Sequence, residues 1–159
     1  MKAVSIKELK EELTNNTPKE LRDLCLRLAR FKKENKELLT YLLFDSSDEV
    51  LYIESVKKEV DEQFELINRK SHYLIKKSFR KILRCIRKYA RYSQKKETEV
   101  ELLVYFCTKL KKFTPSIKKN SGLQNFYNKQ IETIRKKVTL LHEDLQFDYG
   151  IELNELTSD

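Results

Sequence analysis

A chain of 159 residues with two glycines and two prolines has the length of one domain and too few turn-forming residues for a protein built of sheets. The two glycines, Gly122 and Gly150, also exclude a Rossmann or P-loop phosphate site, because each needs several glycines at fixed spacing. Charged residues make up 36% and the net charge is +8, but 40% apolar residues suffice for a helical core. Composition therefore predicts an ordered, all-α protein.

The first helices have clear start signals. Ser5 with Glu8, and Thr17 with Glu20, form capping-box patterns, and Pro18 occupies a first helical position, where its missing N–H costs nothing. In the second helix, Leu21, Leu24 and Leu28 recur at three- and four-residue spacing. These patterns predict helices over 5–14, 17–32 and 35–44.

Similar start and stop signals predict the remaining helices. A Ser46-Ser47-Asp48-Glu49 signature and a weaker one at Ser121 mark starts, while Thr114-Pro115 and Gly150 mark stops. The predicted helices are 47–69, 71–92, 96–113 and 121–148. Residues 47–92 contain no glycine or proline, so one long helix is the alternative to a break near 69–72. The expected architecture is a bundle of six to seven helices or a short α-α superhelix, with one helical domain over 1–148 and an acidic tail over 149–159.

Two stretches of the chain resemble each other. The segment Leu21–Phe31 aligns with Ile82–Tyr92, and Glu37–Leu42 aligns with Glu101–Phe106. One interpretation is a repeat of two three-helix units, 17–69 and 71–148, stacked as in solenoids. The other is that amphipathic helices resemble one another whenever their apolar positions are superposed.

Two family resemblances follow from these patterns. The helical repeat has the general look of armadillo and HEAT arrays, although it contains no motif of either family. An Ile-Lys-Glu-Leu helix followed by a Thr-Pro-Lys-Glu-Leu cap resembles the opening of small bacterial all-helical proteins of unknown function. That resemblance covers about the first 45 residues and implies no active residues.

Positive charge is concentrated in one segment. Residues 66–96 contain 12 Lys or Arg and no Asp or Glu, whereas residues 1–65 and 97–159 each carry a small net negative charge. Their helical spacing predicts a basic face opposite the apolar one, and its members, called the basic ridge below, are Lys77, Arg80, Lys81, Arg84, Arg87, Lys88, Arg91 and Lys95.

Two interpretations of the basic ridge remain open. Lysine and arginine facing phosphates would bind nucleic acid, and His72, Tyr73 and Tyr92 could stack on unpaired bases. A second basic group could extend that surface, and its members are Lys109, Lys111, Lys112, Lys118, Lys119, Arg135, Lys136 and Lys137. Alternatively, acidic residues of the preceding helix or of the C-terminal segment could cover the basic ridge and neutralise it.

The sequence contains no recognised catalytic, cofactor or metal motif. Two histidines, His72 and His142, are too few for an ordinary multi-histidine site, and Cys25, Cys85 and Cys107 lie far apart without CxxC spacing. Three such cysteines predict reduced thiols and a cytoplasmic location, and the chain shows neither an apolar signal segment nor a run long enough to span a membrane.

The absence of reactive motifs, together with the many amphipathic helices, favours a non-catalytic helical interaction or scaffold protein. We expect a protein partner or self-association, without a cofactor or a small-molecule ligand. The alternative is a nucleic-acid (polyanion) binding protein that uses the basic helix 71–95.

Overall fold

A computed structural model describes residues 2–158, and every regular element in that range is helical. Eight α-helices occur among these residues, one or two more than the sequence predicts. The chain separates into two compact units, the first ending at Phe44 and the second beginning at Asp45. The boundary between the units lies near residue 45, whereas the predicted repeat would place a division near residue 70.

The first unit contains three short helices: α1 (Ile6–Leu13), α2 (Pro18–Phe31) and α3 (Lys33–Thr40). Both predicted capping boxes are present. The Ser5 backbone N–H donates to Glu8 and the Thr17 N–H donates to Glu20, each at 2.8 Å. Helices α2 and α3 pack together, yet none of the three contains a fully buried side chain. A single π-helical turn, Tyr41–Asp45, follows α3.

The second unit contains five helices: α4 (Glu49–Glu65), α5 (His72–Ser93), α6 (Lys96–Lys111), α7 (Ser121–Val138) and α8 (Glu143–Thr157). A 3₁₀ turn, Ile117–Lys119, precedes α7. Residues 66–71 separate α4 from α5, so the segment 47–92 forms two helices, not one. Asp48, which accepts a hydrogen bond from the Leu51 N–H at 3.0 Å, caps α4.

Helix α6 is the centre of this unit, because it contacts α4, α5, α7 and α8. It is buried on most sides and therefore lacks the single exposed polar face of an amphipathic surface helix. Five phenylalanines from four helices and a loop pack beside it, with ring centroids 5.1 to 6.4 Å apart: Phe64, Phe79, Phe106, Phe113 and Phe126.

The C-terminal region differs from the sequence prediction. The predicted helix 121–148 is two helices, since Thr139–His142 interrupts it, and residues 149–157 continue α8 instead of forming a tail. Gly150 does not end the helix, because Tyr149, Leu153 and Leu156 are buried and α8 packs on α6 and α7. That packing outweighs the cost of about 1 kcal/mol for a glycine within a helix. Residue 159 of the predicted acidic tail lies outside the described residues.

No helix within residues 2–158 combines the length and the apolar character that crossing a bilayer requires.

Candidate nucleic-acid interface

Helix α5 holds all of the basic ridge except Lys95. The Ser71 hydroxyl caps its start by accepting from the Leu74 N–H at 3.3 Å, and Gln94 ends it in the left-handed conformation, with φ of 59°. Its 22 residues contain no acid, glycine or proline, and they span about 33 Å at 1.5 Å per residue. The helix is therefore long enough to present several cations in one line.

The apolar face of α5 determines which way the basic ridge points. Six side chains of this face are buried in the second unit: Ile75, Phe79, Ile82, Leu83, Ile86 and Ala90. At about 100° per residue, they occupy one side of the helix, and the ridge residues from Lys77 to Arg91 lie within an arc of roughly 120° on the other. The Tyr52 hydroxyl also donates to the Tyr89 carbonyl at 3.0 Å, which links α5 to α4.

The basic ridge is exposed. Seven of its eight side chains belong to exposed residues, and Lys88 is half-buried. Lys88 lies over the Tyr89 ring, with its Nζ 4.4 Å from the ring centroid. Lys95 forms an ion pair of 3.0 Å with Glu49.

Six ridge cations have no carboxylate partner. Within residues 2–158, no ion pair of 4 Å or shorter involves any of them: Lys77, Arg80, Lys81, Arg84, Arg87 and Arg91. Ridge residues that lie three or four positions apart are all positively charged. Each such pair costs a few tenths of a kcal/mol in a helix, so α5 retains a net repulsion along its exposed face.

Two acids of α4 pair with cations outside the basic ridge. Glu54 and Asp61 pair with Lys57 and Lys109, at 2.8 and 2.9 Å. Partial burial raises the pKa of Asp61, but hydrogen bonds from Lys109 and Tyr105 outweigh it and hold that pKa below its usual value. Glu49, at the first turn of α4, pairs with the ridge residue Lys95.

The acidic C-terminal helix does not cover the basic ridge. Helix α8 packs on α6 and α7, where Lys111 Nζ donates to the carbonyls of Glu155 and Ser158 at 2.7 and 2.6 Å. No carboxylate between residues 143 and 158 forms an ion pair with a ridge cation. The structure therefore does not support internal neutralisation of the basic ridge by this segment.

Four of the eight residues of the second basic group have partners outside the basic ridge. Lys109 pairs with Asp61, Lys137 pairs with Glu99 at 2.7 Å, and Lys111 binds the end of α8. Exposed Arg135 approaches Glu132 at 3.6 Å. The second basic group therefore offers fewer unpaired cations to a ligand than its sequence suggests.

The three predicted stacking residues differ in their surroundings. His72 and Tyr73 are exposed in the first turn of α5. Tyr92 is half-buried and meets Tyr89 edge to face, with ring centroids 5.8 Å apart. An open aromatic ring therefore lies near the N-terminal end of the basic ridge.

Neither Cys85 of α5 nor Cys107 of α6 is activated. Cys85 is half-buried beside Glu59 and Gln63, and burial raises the pKa of its thiol. Cys107 is fully buried in α6, and its pKa is raised to about 12 by that burial. Among residues 2–158 there is also no group of three potential metal ligands.

Sequence reasoning counted Glu49 among the acids of the preceding helix but did not single it out as a partner of the basic ridge. Its carboxylate accepts hydrogen bonds from Ser93 and from Thr98, the latter at 2.6 Å, in addition to its pair with Lys95. Glu49 thus connects the start of α4 with the end of α5 and the start of α6. No local pattern signals this, because the partners are 44 to 49 residues away along the chain.

Comparison of the chain with protein-family models, curated proteins and solved structures gives no match.

Proposed function

We propose that the protein binds nucleic acid through the basic ridge of α5. The observation that carries this proposal is the row of six exposed cations without a carboxylate partner in the part of the chain that the structure describes. A folded protein that keeps such repulsion gains stability from a polyanion, because phosphates offset it and release their counterions on binding.

The dimensions of the basic ridge suit a phosphate backbone. From Lys77 to Arg91 the helix rises about 21 Å. One strand of a duplex places a phosphate every 3.4 Å or so along the axis, so about six phosphates fit beside this length. Contacts of this kind supply affinity and strong salt dependence but little sequence preference.

The test removes three ridge charges together. The variant Arg80→Gln/Arg84→Gln/Arg91→Gln should bind mixed 20-residue oligonucleotides at least tenfold more weakly at ~50 mM salt. Each lost phosphate contact should also reduce the slope of log affinity against log salt by about 0.7 to 0.9, hence by roughly 2 to 3 in total. Fluorescence anisotropy at several salt concentrations measures both quantities.

A control variant removes the same charge elsewhere. Lys129→Gln/Arg135→Gln/Lys136→Gln changes three exposed cations of α7 and should retain most of the affinity and slope. Wild-type protein that binds neither single- nor double-stranded oligonucleotides at ~50 mM salt would contradict the proposal. An equal loss in the α7 variant would also contradict it, since net charge would then account for binding without the basic ridge.

A protein interaction module is the second candidate, and the first unit carries it. Its helices leave large apolar side chains exposed, among them Ile6, Leu28 and Phe31, with 60 to 80% of each accessible to solvent. Leu28 and Phe31 lie one turn apart on one face of α2, and exposed apolar patches are typical of binding sites. An interaction module of this kind is consistent with a helical bundle. It is also consistent with a cytoplasmic location, which the three free cysteines predict.

The first test of the interaction module measures self-association. Light scattering over a concentration series should show a mass above that of one chain, and Leu28→Gln/Phe31→Gln should lower it. Leu66→Gln, which alters an exposed leucine in the second unit, is the control. A constant monomer mass together with no co-purifying protein would exclude this function.

A further inference from the structure

Tyr73 lies on the same face of α5 as the basic ridge. It lies four residues before Lys77 and seven before Arg80, so all three project from the same side of α5. At about 100° per residue it falls inside the arc that the ridge cations occupy. An aromatic ring therefore continues the line of positive charge toward the start of the helix.

The ring of Tyr73 is open to solvent. The residue is 73% exposed, and within residues 2–158 it makes no side-chain hydrogen bond, ring contact or cation contact. Tyr92 near the other end of α5 differs, because Tyr89 packs against its ring and Lys88 lies 6.0 Å from its centroid. Of these two tyrosines, Tyr73 thus has the open ring, and it lies at the N-terminal end of α5.

Single scattered aromatic residues are common on protein surfaces. Tyr73 differs from these because cations that could hold a phosphate chain lie directly beside it, one and two turns along the same face. A base in a duplex is stacked between its neighbours and cannot reach such a ring. A single strand can rotate a base out and lay it on the ring while its phosphates follow the cations.

We propose that the preferred ligand of the basic ridge is single-stranded nucleic acid, with one base stacked on Tyr73 and the phosphates running from Lys77 toward Arg91. This inference rests on the proposed nucleic-acid function and adds the class of ligand. Because stacking is possible with any base, the preference concerns strandedness and not sequence.

The binding test compares one oligonucleotide in single-stranded and duplex form. Wild-type protein should prefer the single strand, and Tyr73→Leu should lose roughly 5- to 150-fold of that affinity, the range found when one stacking residue is removed. Tyr73→Leu should bind the duplex as the wild type does, because the cations are unchanged. Tyr73→Phe keeps the ring and should retain single-strand binding.

A spectroscopic test reports on the stacking itself. The chain contains no tryptophan, so Tyr73→Trp introduces a unique fluorophore on the basic ridge. Its emission should be quenched by the single strand but not by the duplex. The control is Phe147→Trp at an exposed position of α8, which should respond to neither.

The outcomes separate the two proposals. Equal or tighter binding of the duplex, or equal losses for Tyr73→Leu with both ligands, would overturn the single-strand preference and leave the nucleic-acid function standing. Absence of binding to both ligands would overturn the function itself, and the preference with it.

Discussion

Cations that look alike in the sequence have different surroundings in the folded protein. Lys57 lies between Glu54 and Glu101, with both distances 2.8 Å, whereas exposed Arg84 has no carboxylate within 4 Å in residues 2–158. Burial lowers the pKa of Lys57, but its hydrogen bonds to Glu101 and Glu54 outweigh this and raise it overall. Pairing partners, and not residue type, decide which cations remain available to a ligand.

Cys107 shows how burial alone changes a residue's chemistry. Its side chain is inaccessible, and desolvation raises its pKa from 9.0 to about 12, because the apolar core disfavours the thiolate. A raised folded-state pKa contributes stability that is fully present below the unfolded pKa of about 9. That stability is lost as the pH rises toward 12, since the unfolded thiol ionises first.

We therefore predict a loss of stability in alkali that depends on Cys107. Between pH 8 and pH 10.5 the wild-type free energy of unfolding should fall by about 2 kcal/mol more than that of Cys107→Ala. Urea unfolding at a series of pH values measures this difference. Cys25→Ala, at an exposed thiol, is the control and should follow the wild type. Parallel pH profiles for wild type and Cys107→Ala would disprove the effect.

At the scale of single elements, caps decide where each helix begins. The sequence places the cap of α7 at Ser121, but the structure places it at Asn120, whose side chain accepts from the Leu123 N–H at 3.1 Å. Ser121 is then the first residue of the helix. Asparagine and serine are both good caps, so adjacent candidates cannot be ranked from sequence.

This difference gives a prediction with an internal control. Asn120→Ala should reduce the free energy of unfolding by about 1 kcal/mol, because a free backbone N–H at the start of α7 loses its acceptor. Ser121→Ala should change stability by only a few tenths of a kcal/mol. Denaturant titrations of the two variants decide between the two capping residues, and a larger effect at Ser121 would show that the cap lies there.

At the scale of the whole molecule, positive charge is spread unevenly. Residues 66–96 contain 12 cations and no acid, whereas the rest of the chain carries a small net negative charge, which leaves +8 in total. The apolar face of α5 is buried, and this packing stabilises the helix against the repulsion between its cations. Core packing therefore offsets the repulsion in the absence of a ligand.

We predict that salt stabilises the protein through the basic ridge. Raising NaCl from ~20 mM to ~0.5 M should increase the free energy of unfolding by about 1 kcal/mol, since several repulsive pairs of a few tenths each are screened. Arg80→Gln/Arg84→Gln/Arg91→Gln should be at least as stable as wild type at low salt and should respond less to salt. If the triple variant responds to salt as strongly as the wild type, the repulsion does not arise in the basic ridge.

The sequence by itself determined the helical class, most helix bounds and the composition of the basic ridge. Capping boxes and three- and four-residue spacing act within one or two turns, so Ser5, Thr17 and the apolar residues of α5 report local structure directly. The same spacing predicted that the cations of α5 would lie opposite its buried face. These signals require no knowledge of which helices are neighbours.

Only the tertiary structure decided which surfaces are covered. The end of α7 near Val138, the continuation of α8 through Gly150 and the pairing of Glu49 with Lys95 depend on contacts between residues far apart in the chain. The acids of α8 could in principle have met the basic ridge, but the burial of Leu153 and Leu156 places that helix on α6 and α7. Long-range packing thus determined that six ridge cations stay exposed, because burying apolar area contributes more free energy than surface ion pairs do.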